Sequence, residues 1–387
     1  PLGGLLAGVP LLVGWDDHEV VNDYSGGEPG PDLTPERMAA AYQAFFEYMP
    51  LRSPGDPQDP FRTYRSIRYG SLAEFFLLDG RQYRAASVEQ LCGGDPDPFD
   101  MIFGGRNPNA DCLAALGQPR VYLGQAQLEW IKNALAASTA TYKFVVTNQP
   151  MSFIGLLPYD RWDGYDAERR ELLEFIDANR IENVWLLSTD VHMNAFAPDV
   201  TSYFREQRPD YRLDHGVVVG EIVAGPIAAD TLRAGALETA SGAVGPLASL
   251  PVGQRLLNRV FDNMMMGIGR ANRWAFWEAN RFAYALVEVS PESGVTVSFR
   301  GYDPAEQGRQ PPHIYTLYDS TAPAGLPCGL LPGLALVLVA PLAAFALRGR
   351  RSLPPYNADR SMGTGTRKKC ASTLASSQIT RRPGAGL

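Results

Sequence analysis

Apolar positions along the chain fall into two periods. Met38, Tyr42, Phe45 and Met49 recur at helical spacing, so a helix is predicted from Thr34 to about Tyr48. Thr34 is a capping residue type and Pro35 suits the first helical position. Gly124 to Ser138 repeats the pattern through Leu128, Ile131 and Leu135, and Asp166 to Asn179 makes a third helix. Between the helices lie short apolar runs that read as strands: Val9–Val13, Thr63–Tyr69, Leu72–Leu78, Tyr142–Thr147, Val184–Thr189 and a run from Val217. Several are nearly continuous, as in strands buried on both faces. Phe282–Val289 and Val295–Arg300 alternate and predict a hairpin. Helix and strand in alternation imply an α/β fold with a mostly crossover-connected sheet.

Two of the runs end in chemistry. Val9–Val13 leads into Trp15-Asp16-Asp17-His18-Glu19-Val20-Val21-Asn22-Asp23. Val184–Thr189 leads into Asp190-Val191-His192. On an extended chain Asp190 and His192 would point to the same side. Carboxylate and carboxamide oxygens suit hard cations, and a neighbouring imidazole can ligate or move a proton. An acidic turn is the plain alternative, and the matching form of the two clusters weighs against it. The remaining histidines, His215 and His313, lie in polar loops and read as surface or core-edge residues.

Composition narrows the setting. The 387 residues are 45% hydrophobic and 20% charged, a globular balance. The net charge is −7, but the segment from Arg348 onward carries nine Lys or Arg against one Asp, or +8, which leaves −15 for the rest. So acidic a body argues against nucleic acid as a partner. Cys92 and Cys112 bracket a Gly/Pro/Asp-rich loop with no zinc spacing, where a disulfide would imply an oxidising compartment. Residues 304–325 read as a linker. Residues 326–347 carry no charge and as a helix would span roughly 33 Å, enough to cross a bilayer. Arg348, Arg350 and Arg351 follow as a cytoplasmic flank, and 348–387 reads as a basic disordered tail. The acidic domain is then expected outside the cytoplasm, anchored by 326–347. The chain opens on a core-type apolar run without a secretory n-region, as a fragment would.

The ordered set "WDDHEVVND", "LLDGRQYR", "DRWDGYDAERRELLEFI" and "LLSTDVH" resembles PhoD-like alkaline phosphatases of the calcineurin-like metallophosphatase superfamily, from about Leu5 to Gly301. The resemblance implies a four-layer α/β/β/α sandwich over residues 1–303, incomplete at its N-terminus, where a Cys-containing strand end and a Gly-Asp-x-x-Tyr motif would precede Trp15. It implies hydrolysis of phosphate mono- or diesters at an iron and calcium centre. By motif, Asp17, Asp190 and His192 would be metal ligands, with Asn22 and Asn148 as further oxygen donors. His18 would be the general acid or orienting donor. Arg81 is a candidate for phosphate contact, the alternative being an Asp79–Arg81 pair that fixes the turn. Asp163 or Tyr165 would face the site or pack, and Glu221 would support a ligand from behind. Thr189 replaces the family's usual Gly. A phospholipase-D-like lipid phosphodiesterase and a non-catalytic fragment lacking the N-terminal metal ligands stay open as other functional classes.

Overall fold

Alternate side chains of the central strands bury to opposite sides, and this divides the protein into layers. The computed structural model describes residues 8–29, 33–52, 56–86, 118–154, 161–227, 229–302 and 314–321. The helices are α1 (Pro35–Tyr48), α2 (Gln125–Ala137), α3 (Asp166–Ala178), α4 (Thr201–Gln207), α5 (Leu232–Val244) and α6 (Pro251–Ala271). The strands are β1 (Arg65–Tyr69), β2 (Ala73–Leu77), β3 (Tyr142–Thr147), β4 (Val184–Ser188), β5 (Asn194–Ala197), β6 (Val219–Val223), β7 (Phe276–Glu278), β8 (Phe282–Ser290), β9 (Gly294–Tyr302) and β10 (Ile314–Asp319).

A seven-stranded sheet runs β1-β2-β3-β4-β6-β5-β7, and a three-stranded sheet runs β10-β9-β8. The centre of the large sheet, β2-β3-β4-β6, is parallel, while β1, β5 and β7 pair antiparallel at its margins. On one face Phe76, Val145, Leu186 and Val219 pack with Leu128, Ile131 and Leu135 of α2 and with Leu172, Leu173 and Ile176 of α3. On the other, Phe196 and Ile222, with Trp185 and Leu187 beside them, meet Val297 and Phe299 of β9. Leu186 and its neighbours thus separate by the period of a strand, one toward helices and two toward the second sheet. A third apolar cluster joins Trp15, Val20 and Tyr24 to Tyr42 and Phe45 of α1, which pins the first acidic loop. Thr34 caps α1 by accepting from the Arg37 N–H, and Pro35 opens it.

Several expectations change. Val9–Val13 is not a strand: Val9, Leu11 and Leu12 are exposed, and no described strand pairs with the segment. A short apolar run becomes a strand only where a ladder accepts it, and here Arg65 takes the Val13 carbonyl instead. The stretch 304–325, expected as linker, contains β10, paired with β9. The α/β class holds with a large parallel-rich sheet, but the described residues form three layers, α/β/β. No second outer helical layer lies among them, and Tyr284, Leu286 and Ile314 of the small sheet are exposed. The pair Cys92 and Cys112 and the run 326–347 lie outside the described residues. No helix among the described residues is long and apolar enough to cross a membrane.

Phe299 is fully buried between the sheets. Replacing it by Ala should cost roughly 3–5 kcal/mol in urea unfolding. A loss below about 1 kcal/mol would mean that the two sheets do not share a core.

Candidate metal centre

The parallel strands β2, β3 and β4 all end at one edge of the sheet, where open α/β sheets place ligands. Each delivers a loop to the same place. After β2 comes the turn 79–84. Asp79 is fully buried and its carboxylate is saturated: Oδ1 accepts from the Trp15 indole (3.2 Å), the Arg81 N–H (3.1 Å) and the Gln82 N–H (2.9 Å). Oδ2 accepts from Thr63 Oγ1 and Gln82 Nε2. The expected Asp79–Arg81 pairing is present through the Arg81 backbone N–H. Gly80 has no room for a Cβ, which would lie 2.5 Å from the Tyr122 hydroxyl and 2.8 Å from Asn148 Oδ1.

After β3, Asn148 ties three loops together. Its Oδ1 accepts from the Gly80 N–H at 2.9 Å, its Nδ2 donates to the Trp15 carbonyl, and its own carbonyl accepts from Thr189 N (3.1 Å) and Thr189 Oγ1 (3.0 Å). The Thr189 hydroxyl is thus used in the turn. After β4, Asp190 and His192 both have positive φ, 68° and 53°. They do not continue the strand, so the same-side alternation assumed for an extended chain does not apply.

Within this frame Asp16, Asp17 and Asp190 each bring a carboxylate oxygen within 4.8 Å of the others. This is the one such group of acidic, histidine or cysteine side chains among the described residues. Asp17 is buried and held by its neighbours: Oδ1 accepts from the His18 N–H at 2.9 Å and Oδ2 from the Asp23 N–H at 2.7 Å. Asp16 N–H donates to Glu19, which closes the turn. The Arg81 side chain is completely buried amid these acids. Its Nε donates to Asp16 Oδ1 at 2.6 Å, and its Nη2 lies 3.3 Å from Asp190 and 3.7 Å from Asp17. Its Nη1 lies 4.0 Å from Asp23. The guanidinium therefore faces carboxylates.

The structure thus brings Asp17 and Asp190 together from segments far apart in sequence, and adds Asp16 and Asp23. The Asp-Asp pair in "WDDHE" carried a signal for Asp16. The two histidines do not join the group: His18 is exposed and His192 is half-buried, with its carbonyl accepting from Leu232 N–H. Asn22 is exposed and its amide donates to Asp23. Asn148 spends both side-chain atoms on bracing.

The supporting loops are anchored from behind. Glu221 in β6 is fully buried, accepting from Met151 N–H (2.7 Å), Ser152 N–H (2.9 Å) and Ser188 Oγ (2.6 Å). It locks the loop after β3 to the end of β4. Asp163 accepts from Ile154 N–H and from the buried Arg169, and Tyr165 donates to the Ala85 carbonyl, so both pack. Burial would raise the Asp166 carboxyl, but Arg208, Arg169 and Tyr211 outweigh it and hold the pKa at about 2.

The loop after β4 and the loop that Trp15 pins beside it bring three carboxylates to one point, which defines an α/β protein with an acidic cluster at the C-terminal edge of its parallel strands. The chain belongs to the PhoD-like phosphatase family, whose model matches residues 2–293. It is 38% identical over 198 residues to alkaline phosphatase D of Bacillus subtilis (strain 168), a match covering 48% of this chain and 31% of that protein. The matched part is therefore about a third of the relative's length. A solved structure described as "Structure of PhoD" is similar at a TM-score of 0.48 and 24% identity, over 82% of this chain and 56% of that one.

Asn148→Ala should leave the Gly80 N–H and the Trp15 carbonyl without their partner. A loss of roughly 1–3 kcal/mol in urea unfolding is expected. A loss under about 0.5 kcal/mol would show that other contacts hold the three loops together.

Proposed function

We propose that the chain hydrolyses phosphate esters at a cation held by Asp16, Asp17 and Asp190. The observation that carries this reading is the convergence of those carboxylates at the C-terminal edge of the parallel strands, in a chain of the PhoD-like phosphatase family.

Among the described residues, Asp16, Asp17, Asp23 and Asp190 gather four carboxylates around the Arg81 guanidinium, a balance that favours a cation. Three carboxylate oxygens suit calcium, which takes oxygen ligands. Iron favours mixed oxygen and nitrogen ligation, and neither His18 nor His192 belongs to the group. The described residues therefore fit calcium and offer iron no nitrogen donor within the cluster. A bound cation of this kind supplies a polarised water and neutralises charge on phosphoryl oxygens.

The chain's own residues supply the rest. The His18 and Asp23 backbone N–H groups orient the Asp17 carboxylate before substrate arrives. His18, exposed one residue beyond Asp17, is assigned the leaving-group proton. Arg81 is too deeply buried to meet a phosphate as the loops stand and instead fixes the acids. Phosphate mono- or diesters are the substrate class.

Asp190→Asn should lower kcat/KM for p-nitrophenyl phosphate or bis-p-nitrophenyl phosphate by at least about 100-fold while the circular dichroism is unchanged. EDTA should abolish wild-type turnover and Ca²⁺ should restore it. Activity that survives both treatments would remove the cation from the mechanism.

An extracytoplasmic, membrane-anchored setting is supported by sequence alone, through the uncharged run 326–347 and the arginines that follow. In cell fractionation the full chain should sediment with membranes, and a chain ending at residue 325 should not. Equal behaviour of the two would dispose of the anchor.

A further inference from the structure

Arg81 has a place in the centre that neither a phosphate contact nor a turn-fixing pair describes. Its side chain has no exposed surface, and it reaches the three proposed cation ligands at 2.6, 3.3 and 3.7 Å. The backbone under it is fixed at both ends: its N–H donates to Asp79 and its carbonyl accepts from Gly26 N–H. A guanidinium does not lose its proton in a protein, so this positive charge is permanent. Grouped buried acids repel one another unless a cation lies among them. The side chain that meets this need also stands where it repels any metal ion bound to the same oxygens.

We propose that Arg81 is a resident counter-cation of the carboxylate cluster, which keeps Asp16, Asp17 and Asp190 assembled without metal and lowers their affinity for a divalent ion. The inference rests on the cation reading of the site and adds its regulation. Two consequences have opposite signs. Without Arg81 the metal-free protein loses the charge that offsets its acids, so it is less stable. The same loss removes the repulsion, so the metal binds more tightly. A side chain that merely packed, or that oriented the acids for the metal, would not produce this opposition.

The test uses the full chain and Ca²⁺ alone as probe, by calorimetric titration and by melting in EDTA and in Ca²⁺. Arg81→Met should melt below wild type in EDTA, bind Ca²⁺ about tenfold or more tightly, and gain more from Ca²⁺ in melting temperature. Arg81→Lys keeps the charge and should bind Ca²⁺ close to wild type. Should Arg81→Met fail to fold in EDTA, refolding in Ca²⁺ is expected to rescue it, and failure in both would overturn the proposal. Unchanged or weaker Ca²⁺ binding by a folded Arg81→Met would also overturn it. Wild-type protein that binds no Ca²⁺ at all would instead bring down the cation reading on which it rests.

Discussion

Charge balance in a small volume governs the centre of this protein. Asp16, Asp17, Asp23 and Asp190 come from two loops that are distant in sequence, and Arg81 comes from a third. Bringing the acids together costs solvation as well as mutual repulsion. The buried guanidinium offsets part of that cost through contacts to all four. The remaining excess of negative charge is the basis on which the proposed function places a cation there. On the proposed function, stability and activity draw on the same electrostatic imbalance.

Hydrogen bonds and ring packing hold the loops in place so that this balance can exist. Asp79 and Asn148 both take hold of Trp15, one by its indole and one by its carbonyl. Trp15 in turn packs edge-on against Tyr24, Tyr42 and Phe45, joining the acidic loop to α1. Glu221 does the equivalent at the other side, binding the loop after β3 and Ser188 just ahead of Asp190. These anchors are buried polar groups with their partners in place, the condition under which such networks give rigidity.

The sequence made some of this legible and hid the rest for identifiable reasons. α2 and α3 were readable because they are long, and their apolar residues recur at the helical period. β3 and β4 were readable as apolar runs, and the meeting of Asp17 with Asp190 followed from two such runs ending alike. Val9–Val13 has the same composition as a strand but no ladder to join, which a single sequence cannot reveal. β10 had a signal in its Ile-Tyr-Thr-Leu-Tyr run, overshadowed by the Pro- and Gly-rich residues around it. The left-handed backbone at Asp190 and His192 carried none, since both are ordinary L-residues. The extended alternation read from the sequence therefore does not describe this turn. Asn148 reads as a ligand in sequence because its amide oxygen is a good donor atom; only the structure shows that Gly80 already uses it.

The arrangement of the histidines also bears on how the centre can work. Oxygen donors converge, while His18 remains at the surface and His192 lies outside the group. An imidazole held among the carboxylates would be a ligand and unable to trade its proton freely. The His18 ring is exposed beside Asp17, and the His18 backbone N–H positions the Asp17 carboxylate. One residue thus has two placements: its main chain holds the acid, and its side chain lies at the surface, where the proposed function gives it the leaving-group proton. The Asp17-His18 sequence achieves this because the tight turn after Asp17 brings the Val20 and Val21 N–H groups back onto its carbonyl. Adjacent side chains then diverge, which sends the carboxylate inward to Arg81 and leaves the ring in solvent.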